Sequence, residues 1–149
     1  MVTQSLEGKG CRRVRVEAER REEEMSKRIK ICIGDSVVQG ELHESPTASL
    51  IWEALPIEGR GNRWGEEIYF AIPVKAELDE TARAVVERGD LGYWPQGHAL
   101  CIFFGPTPVS RGDEIRPASP VNIVGNIKGD LRVLKEVAEG TMVRLDKEE

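Results

Sequence analysis

The sequence predicts a mainly β protein, a closed antiparallel barrel of about eight short strands with two short helices. Three observations carry this. Apolar residues alternate with polar ones in several short stretches, the period of a strand with one buried face. Glycine, proline and aspartate punctuate the chain between those stretches, so that successive strands are joined by short connections. Helical spacing with capping residues occurs at only two places, one early and one late. Closure is expected because it removes the exposed strand edges that an open antiparallel sheet would carry.

Taken in order, residues 1–24 stand apart. They hold few large apolar side chains and end in Glu17-Ala18-Glu19-Arg20-Arg21-Glu22-Glu23-Glu24, a block that buries too little surface to offset its ordering entropy. The division expected is an N-terminal extension over 1–24 and a folded domain over 25–149, with Met25 a candidate for the true start. From Lys27 the period is two: Ile29, Ile31 and Ile33 alternate with Arg28, Lys30 and Cys32. Gly34-Asp35 supplies a tight turn, and Val38 and Leu42 belong to the returning strand of a hairpin.

Ser45-Pro46 opens the first helix, with the serine as cap and the proline where its missing N–H costs nothing. Ala48, Ile51, Trp52 and Leu55 form its apolar stripe, which assigns Trp52 to the core, and Pro56 ends it. A glycine-rich loop with two arginines, Gly59 to Gly65, then feeds a strand from Glu66 to Ile72. Ile68, Phe70 and Ile72 share one face of that strand, Glu67, Tyr69 and Ala71 the other. Ala76 to Arg88 fits a helix stripe and a strand alternation about equally; the extended stretch that follows favours a strand pair.

The most distinctive stretch is Gly89 to Ser110. Its centre, Ala99 to Phe104, is an unbroken apolar run of the kind buried on both faces, fenced by Gly89-Asp90 and Pro95-Gln96-Gly97 before it and Gly105-Pro106 and Pro108 after it. Thr107 to Pro120 is a long ordered loop in which Arg111-Gly112-Asp113 is a turn. Val121 to Ile127 is a strand with Val121, Ile123, Gly125 and Ile127 expected inward. Asp130 caps the second helix, with Leu131, Leu134 and Ala138 on one stripe, and Gly140 stands where a helix end favours positive φ. Thr141 to Leu145 closes as the last strand before a solvated Lys147-Glu148-Glu149 tail.

Composition limits the function classes. The chain has 149 residues, 40% of them hydrophobic and 32% charged, with a formal net charge of -5. That balance argues against a nucleic-acid grip, which wants a basic face. No apolar run reaches the roughly 20 residues of a membrane span and no signal peptide is recognised, so a cytoplasmic protein is expected. Cys11, Cys32 and Cys101 have no paired spacing and read as reduced thiols. With only His43 and His98, neither a metal nor another cofactor is expected.

The residues then suggest a family. Gly89-Asp90-Leu91-Gly92-Tyr93-Trp94-Pro95, followed by Ala99-Leu100-Cys101-Ile102-Phe103-Phe104-Gly105-Pro106-Thr107-Pro108, resembles the signature of the small prokaryotic cyclophilin-like proteins, a family of unknown function. Trp64-Gly65-Glu66-Glu67-Ile68-Tyr69-Phe70 is similar to its second motif. The resemblance spans Lys27 to Asp146 and implies a cyclophilin-type closed eight-stranded barrel with a helix at each end. True cyclophilins isomerise X–Pro bonds with an arginine in a Phe-His-Arg type segment and a Gln-Phe-Phe strand. This chain has neither, Ile102-Phe103-Phe104 being the nearest run.

The expected function is binding of proline-containing peptides, with weak peptidyl-prolyl cis–trans isomerase activity as its catalytic extension. Isomerisation needs an apolar seat for the ring and a donor near the prolyl nitrogen. Arg60, Arg63 or Arg111 could supply that donor, with Arg60 and Glu66 the expected catalytic pair. Arg63, Trp64, Tyr69, Tyr93, Trp94, Phe103, Phe104 and Thr107 are the expected ligand-binding residues. The same barrel type occurs in proteins associated with opening of cyclic amides such as 5-oxoproline, so a small carboxylate or lactam is an alternative ligand, with Glu66, Glu67, Arg60 and His98 the available groups. A non-catalytic interaction module, binding a peptide or a second copy of the chain, is the third reading.

Overall fold

In the computed structural model residues 27–148 are described. The expected extension over 1–24, the proposed start at Met25 and the last residue of the tail lie outside them. β1 (Lys27–Ile33) and β2 (Ser36–Leu42) form the expected hairpin, paired from Lys27↔Leu42 to Ile33↔Ser36. Ser45 caps α1 (Pro46–Ala54) by accepting from the Ala48 N–H, and Leu55 leaves the helix with extended dihedrals before Pro56. Ala48 and Ile51 are buried. Trp52 is only half-buried, with the Lys147 ammonium 4.7 Å from its ring centre, so it borders the core that was expected to contain it.

β3 (Ile57–Arg60), β4 (Asn62–Arg63) and β5 (Glu67–Ala71) follow, then the two-residue β6 (Ala82–Arg83). The strand pair expected over 76–88 is reduced to β6 and a single bridge from Val86 to Ile115. Here the segment is held by side chains. Asp79 accepts from Thr47 Oγ1 and Thr81, and Asn122, fully buried, accepts from the Asp79 N–H and donates to Thr47 Oγ1 and the Glu77 carbonyl.

β7 (Asp90–Trp94) and β8 (Ala99–Phe103) form a hairpin through a one-turn 3₁₀ helix at Pro95–Gly97. β9 (Val121–Lys128) and a 3₁₀ helix at Leu131–Glu136 come next, the latter capped by Asp130 accepting from the Arg132 N–H. β10 (Met142–Lys147) is last, with Val143 and Leu145 inward and Met142 exposed. Of the expected solvated tail, Lys147 belongs to β10 and the Glu148 N–H donates to the Arg28 carbonyl.

The protein is mainly β with two short helices, but the closed eight-stranded barrel is corrected. Ten strands form one sheet in the order β3-β10-β1-β2-β9-β7-β8-β5-β4, with β6 beside β9. The sheet curls until β3 meets β5, where the Gly59 backbone lies against the Phe70 ring. No ladder crosses that seam; side-chain packing takes the place of paired strands.

The inner face buries Ile29, Ile31, Phe70, Leu91, Tyr93, Leu100 and Ile102 among others. A second, smaller cluster of Val86, Cys101, Phe103, Ile115 and Val121 lies on the outer face. This also corrects the faces of β9. A bulge sets Gly92 opposite Ile123 and Leu91 opposite Gly125, passing over Val124. One extra residue inverts the alternation, so Val121 and Ile123 join the outer cluster while Val124 and Ile127 face inward.

Candidate functional site

The site is built on the outer face of β5, β8, β7 and β9, beneath the loop after β8. Gly65 and Glu66 form the two-residue turn between β4 and β5, and Trp64 and Glu67 exchange backbone hydrogen bonds across it at 2.9 and 3.2 Å. Gly65 has φ +61°, and a Cβ there would come within 2.8 Å of Pro108. The turn is therefore reserved for glycine by conformation and by space. As a directly opposed pair, Trp64 and Glu67 project to one face, which Tyr69 shares two residues on. Tyr69 opposes Cys101, and Cys101 opposes Gly92. Gly92 leaves room for Val121, whose Cγ2 would be 2.7 Å from a Cβ. Trp94, two residues further, meets Tyr69 edge to face at 6.1 Å.

The loop supplies the cover. Ser110 Oγ accepts from the Thr107 and Arg116 N–H groups, and the Thr107 hydroxyl donates to the Arg116 carbonyl. This folding brings Pro117 and Ala118 over the sheet. The pocket so formed, partly open to solvent, has a volume of about 100 Å³ and is lined by Trp64, Glu67, Tyr69, Trp94, Cys101, Pro117, Ala118 and Val121.

Glu67 is the only formally charged residue type in that lining. It is 5% exposed, and its Oε1 has no hydrogen-bond partner among the described residues. Burial drives its pKa from 4.5 up to about 7, against a smaller downward pull from a hydrogen bond with the Cys101 side chain. The Cys101 thiol is pushed well above its ordinary value, first by burial and then by the charge and hydrogen bond of Glu67. It stays protonated, and its seclusion makes it an unreactive thiol. The Trp94 indole N–H is committed to Ser119 Oγ at 2.7 Å, so Trp94 offers the pocket its ring and not its donor. No lysine, arginine or histidine lines the pocket. Among the described residues no three His, Cys, Asp or Glu side chains gather as a metal ion would require.

Of the residues expected from sequence, Trp64, Tyr69 and Trp94 come together in this pocket. Arg60 is exposed and donates to the Gly140 carbonyl. Glu66 is half-exposed and 3.8 Å from Lys135. Arg63 donates to the Gly65, Lys135 and Val137 carbonyls, and its guanidinium lies 5.0 Å above the Phe104 ring. Tyr93 and Phe104 are in the inner core, where the Tyr93 hydroxyl donates to the Val74 carbonyl. Phe103 is buried beneath the outer cluster, Thr107 holds the loop, and exposed His98 ends the 3₁₀ turn with φ 47°. The expectation named Glu67 only for the alternative small-ligand reading, and passed over Cys101, Pro117, Ala118 and Val121 as lining. The signal for Glu67 was its shared parity with Tyr69, which puts both on one face.

The motifs and this sheet agree with what comparison finds. The cyclophilin-like family model matches residues 27–146. The chain belongs to the cyclophilin-like family. The solution structure of the hypothetical protein AF2241 from Archaeoglobus fulgidus is similar to this cyclophilin-like domain at 42% identity, with a TM-score of 0.71, over 83% of this chain and 96% of that one. A comparison with curated proteins gives no match. Membership fixes the architecture of the domain; its function is a question for the pocket. No helix among the described residues is long and apolar enough to cross a membrane.

Proposed function

We propose that this cyclophilin-like domain binds proline-containing peptides, taking the pyrrolidine ring into the pocket of Trp64, Tyr69 and Trp94. The observation that carries the reading is the lining: three aromatic side chains, Pro117, Ala118 and Val121 around about 100 Å³. That volume is below the roughly 300 Å³ of sites for drug-sized ligands and suits one small ring. Aromatic walls are also a recurrent seat for proline. The alternative small carboxylate is less favoured, because the pocket holds a carboxyl and no cation to meet an anion.

Weak isomerase activity is the catalytic extension of this reading. Arg60 and Arg63 are committed to backbone carbonyls away from the pocket, which leaves the Glu67 carboxyl, in its protonated form, as the candidate donor. An assay on an Ala-Pro peptide that returns only the uncatalysed rate removes catalysis and leaves binding standing.

Binding is tested by tryptophan fluorescence with short peptides carrying one proline, internal or N-terminal, against their alanine counterparts. The expected result is saturable quenching that requires proline and weakens on the order of tenfold in Trp94→Ala. Equal binding of the alanine peptides, or no saturation with any proline peptide, overturns the proposal.

A further inference from the structure

The pocket has a second property that ring binding alone does not use. Its one strong polar group, the Glu67 carboxyl, keeps one oxygen without a donor. Glu67 Oε1 is buried and unpartnered, the Trp94 N–H is turned away to Ser119, and no cation lines the walls. A buried acceptor of this kind is costly unless a ligand supplies an N–H. An internal X–Pro amide has no N–H to give. A pyrrolidine nitrogen that is free of an acyl group is a secondary ammonium with two, and it carries the charge that complements a carboxylate. The aromatic walls favour the same ligand, since the faces of tryptophan and tyrosine attract cations. The chain's net charge of -5 acts in the same direction at long range.

We infer that the pocket selects a pyrrolidinium cation, the ammonium facing Glu67 and the ring lying among Trp64, Tyr69 and Trp94, as presented by a peptide with N-terminal proline or by a free cyclic amine. This deepens the proline-binding reading and rests on it. The groups facing Glu67 are few. Cys101 from β8 and Tyr69 from its own strand are the titratable ones; β7 and β9 contribute Trp94 and Val121, and the covering loop Pro117 and Ala118. Burial and the neighbouring Glu67 hold the Cys101 thiol protonated, so the charge state of the pocket follows Glu67. Its value of about 7 in the empty pocket makes cation binding compete with a proton.

The experiment titrates the full chain with prolinamide and with N-acetylprolinamide, which keeps the ring and removes the charge. Measurements are made at about pH 8 and about pH 6, either side of the Glu67 value of about 7. Prolinamide is expected to bind on the order of tenfold tighter than its acetylated form at the higher pH. Its affinity is expected to fall about tenfold at the lower pH, following the ionised fraction of Glu67, while that of the acetylated form does not fall. Glu67→Gln is expected to abolish both differences. If the variant does not fold, the pH dependence of the unaltered protein carries the same information. Lengthening prolinamide to a tripeptide separates the two sources: a gain in affinity identifies a peptide N-terminus, and no gain identifies a free amine. Equal or tighter binding of N-acetylprolinamide overturns the inference and leaves the ring reading in place. Saturation by neither compound, with no response to the proline peptides, overturns the ring reading itself.

Discussion

A carboxyl group buried beside a thiol is an expense in the folded state, and Glu67 makes that expense depend on pH. Its folded pKa of about 7 lies above the ordinary 4.5, so the native protein holds the proton more tightly than the unfolded chain does. The stabilisation from this group is therefore complete below about pH 4.5, declines as pH rises through the folded value near 7, and is absent above it. Across that interval the change is about 3 kcal/mol. Denaturant unfolding at a series of pH values is expected to record that decline, and Glu67→Gln is expected to flatten it. An identical pH profile in the variant would place the titration elsewhere. The neighbouring residues show why chemistry has to be read from position. Glu66 and Glu67 are adjacent and alike, yet one meets Lys135 at the surface and the other closes an aromatic pocket.

At the scale of elements, the outer layer depends on polar ties that link segments far apart in sequence. Asn122 joins α1, the segment before β6, and β9 through Thr47, Asp79 and Glu77. Burial of Asp79 raises its pKa, but hydrogen bonds from Thr81 and Thr47 outweigh this and hold it below the ordinary value. Asn122→Ala is expected to lower stability by about 2–3 kcal/mol, because the Asp79 N–H, the Thr47 hydroxyl and the Glu77 carbonyl all lose a partner. A guanidinium midpoint unchanged from the parent would show that the ties are replaceable. Such ties were not legible in the sequence. Asp79 and Thr81 stand in a segment whose apolar spacing fitted two periods, and nothing local announces a bond to a residue 43 positions away. The hairpin of β1 and β2 was legible because Ile29, Ile31 and Ile33 repeat at the period of the element they form. The faces of β9 were not, since one bulge at Val124 moves every earlier side chain to the opposite surface.

At the scale of the molecule, one sheet serves two cores. Its inner face carries the larger cluster, which the alternation of the strands predicts; its outer face carries the smaller cluster and the pocket. The pocket was half legible. Trp64, Tyr69 and Trp94 sit in motif stretches that stood out, whereas Pro117 and Ala118 arrive through a loop shaped by Ser110 and Thr107, with no periodic signal to read. The expected closed barrel differs from the observed sheet for a related reason. Alternation specifies which face is buried, while closure depends on a ladder forming across the seam, and there β3 and β5 meet by packing.

The pairing of β1 with β10 sets Ile29 opposite Lys147, so the first and last strands of the described residues lie side by side at one corner. Topologically the domain is close to a ring that happens to be cut there. A circular permutant joined across that corner and reopened at Gly34-Asp35 would retain all of its ladders. One reopened at Arg111-Gly112-Asp113 would retain them too, but it would sever the span that carries Pro117 and Ala118 over the pocket. Both are expected to give the same amide spectrum of a folded β protein, with ligand affinity kept in the first and reduced in the second. Equal affinity in the two would mean that the roof is fixed by its attachment to β9 alone. Connectivity and recognition would then be separable properties of this domain, each adjustable without the other.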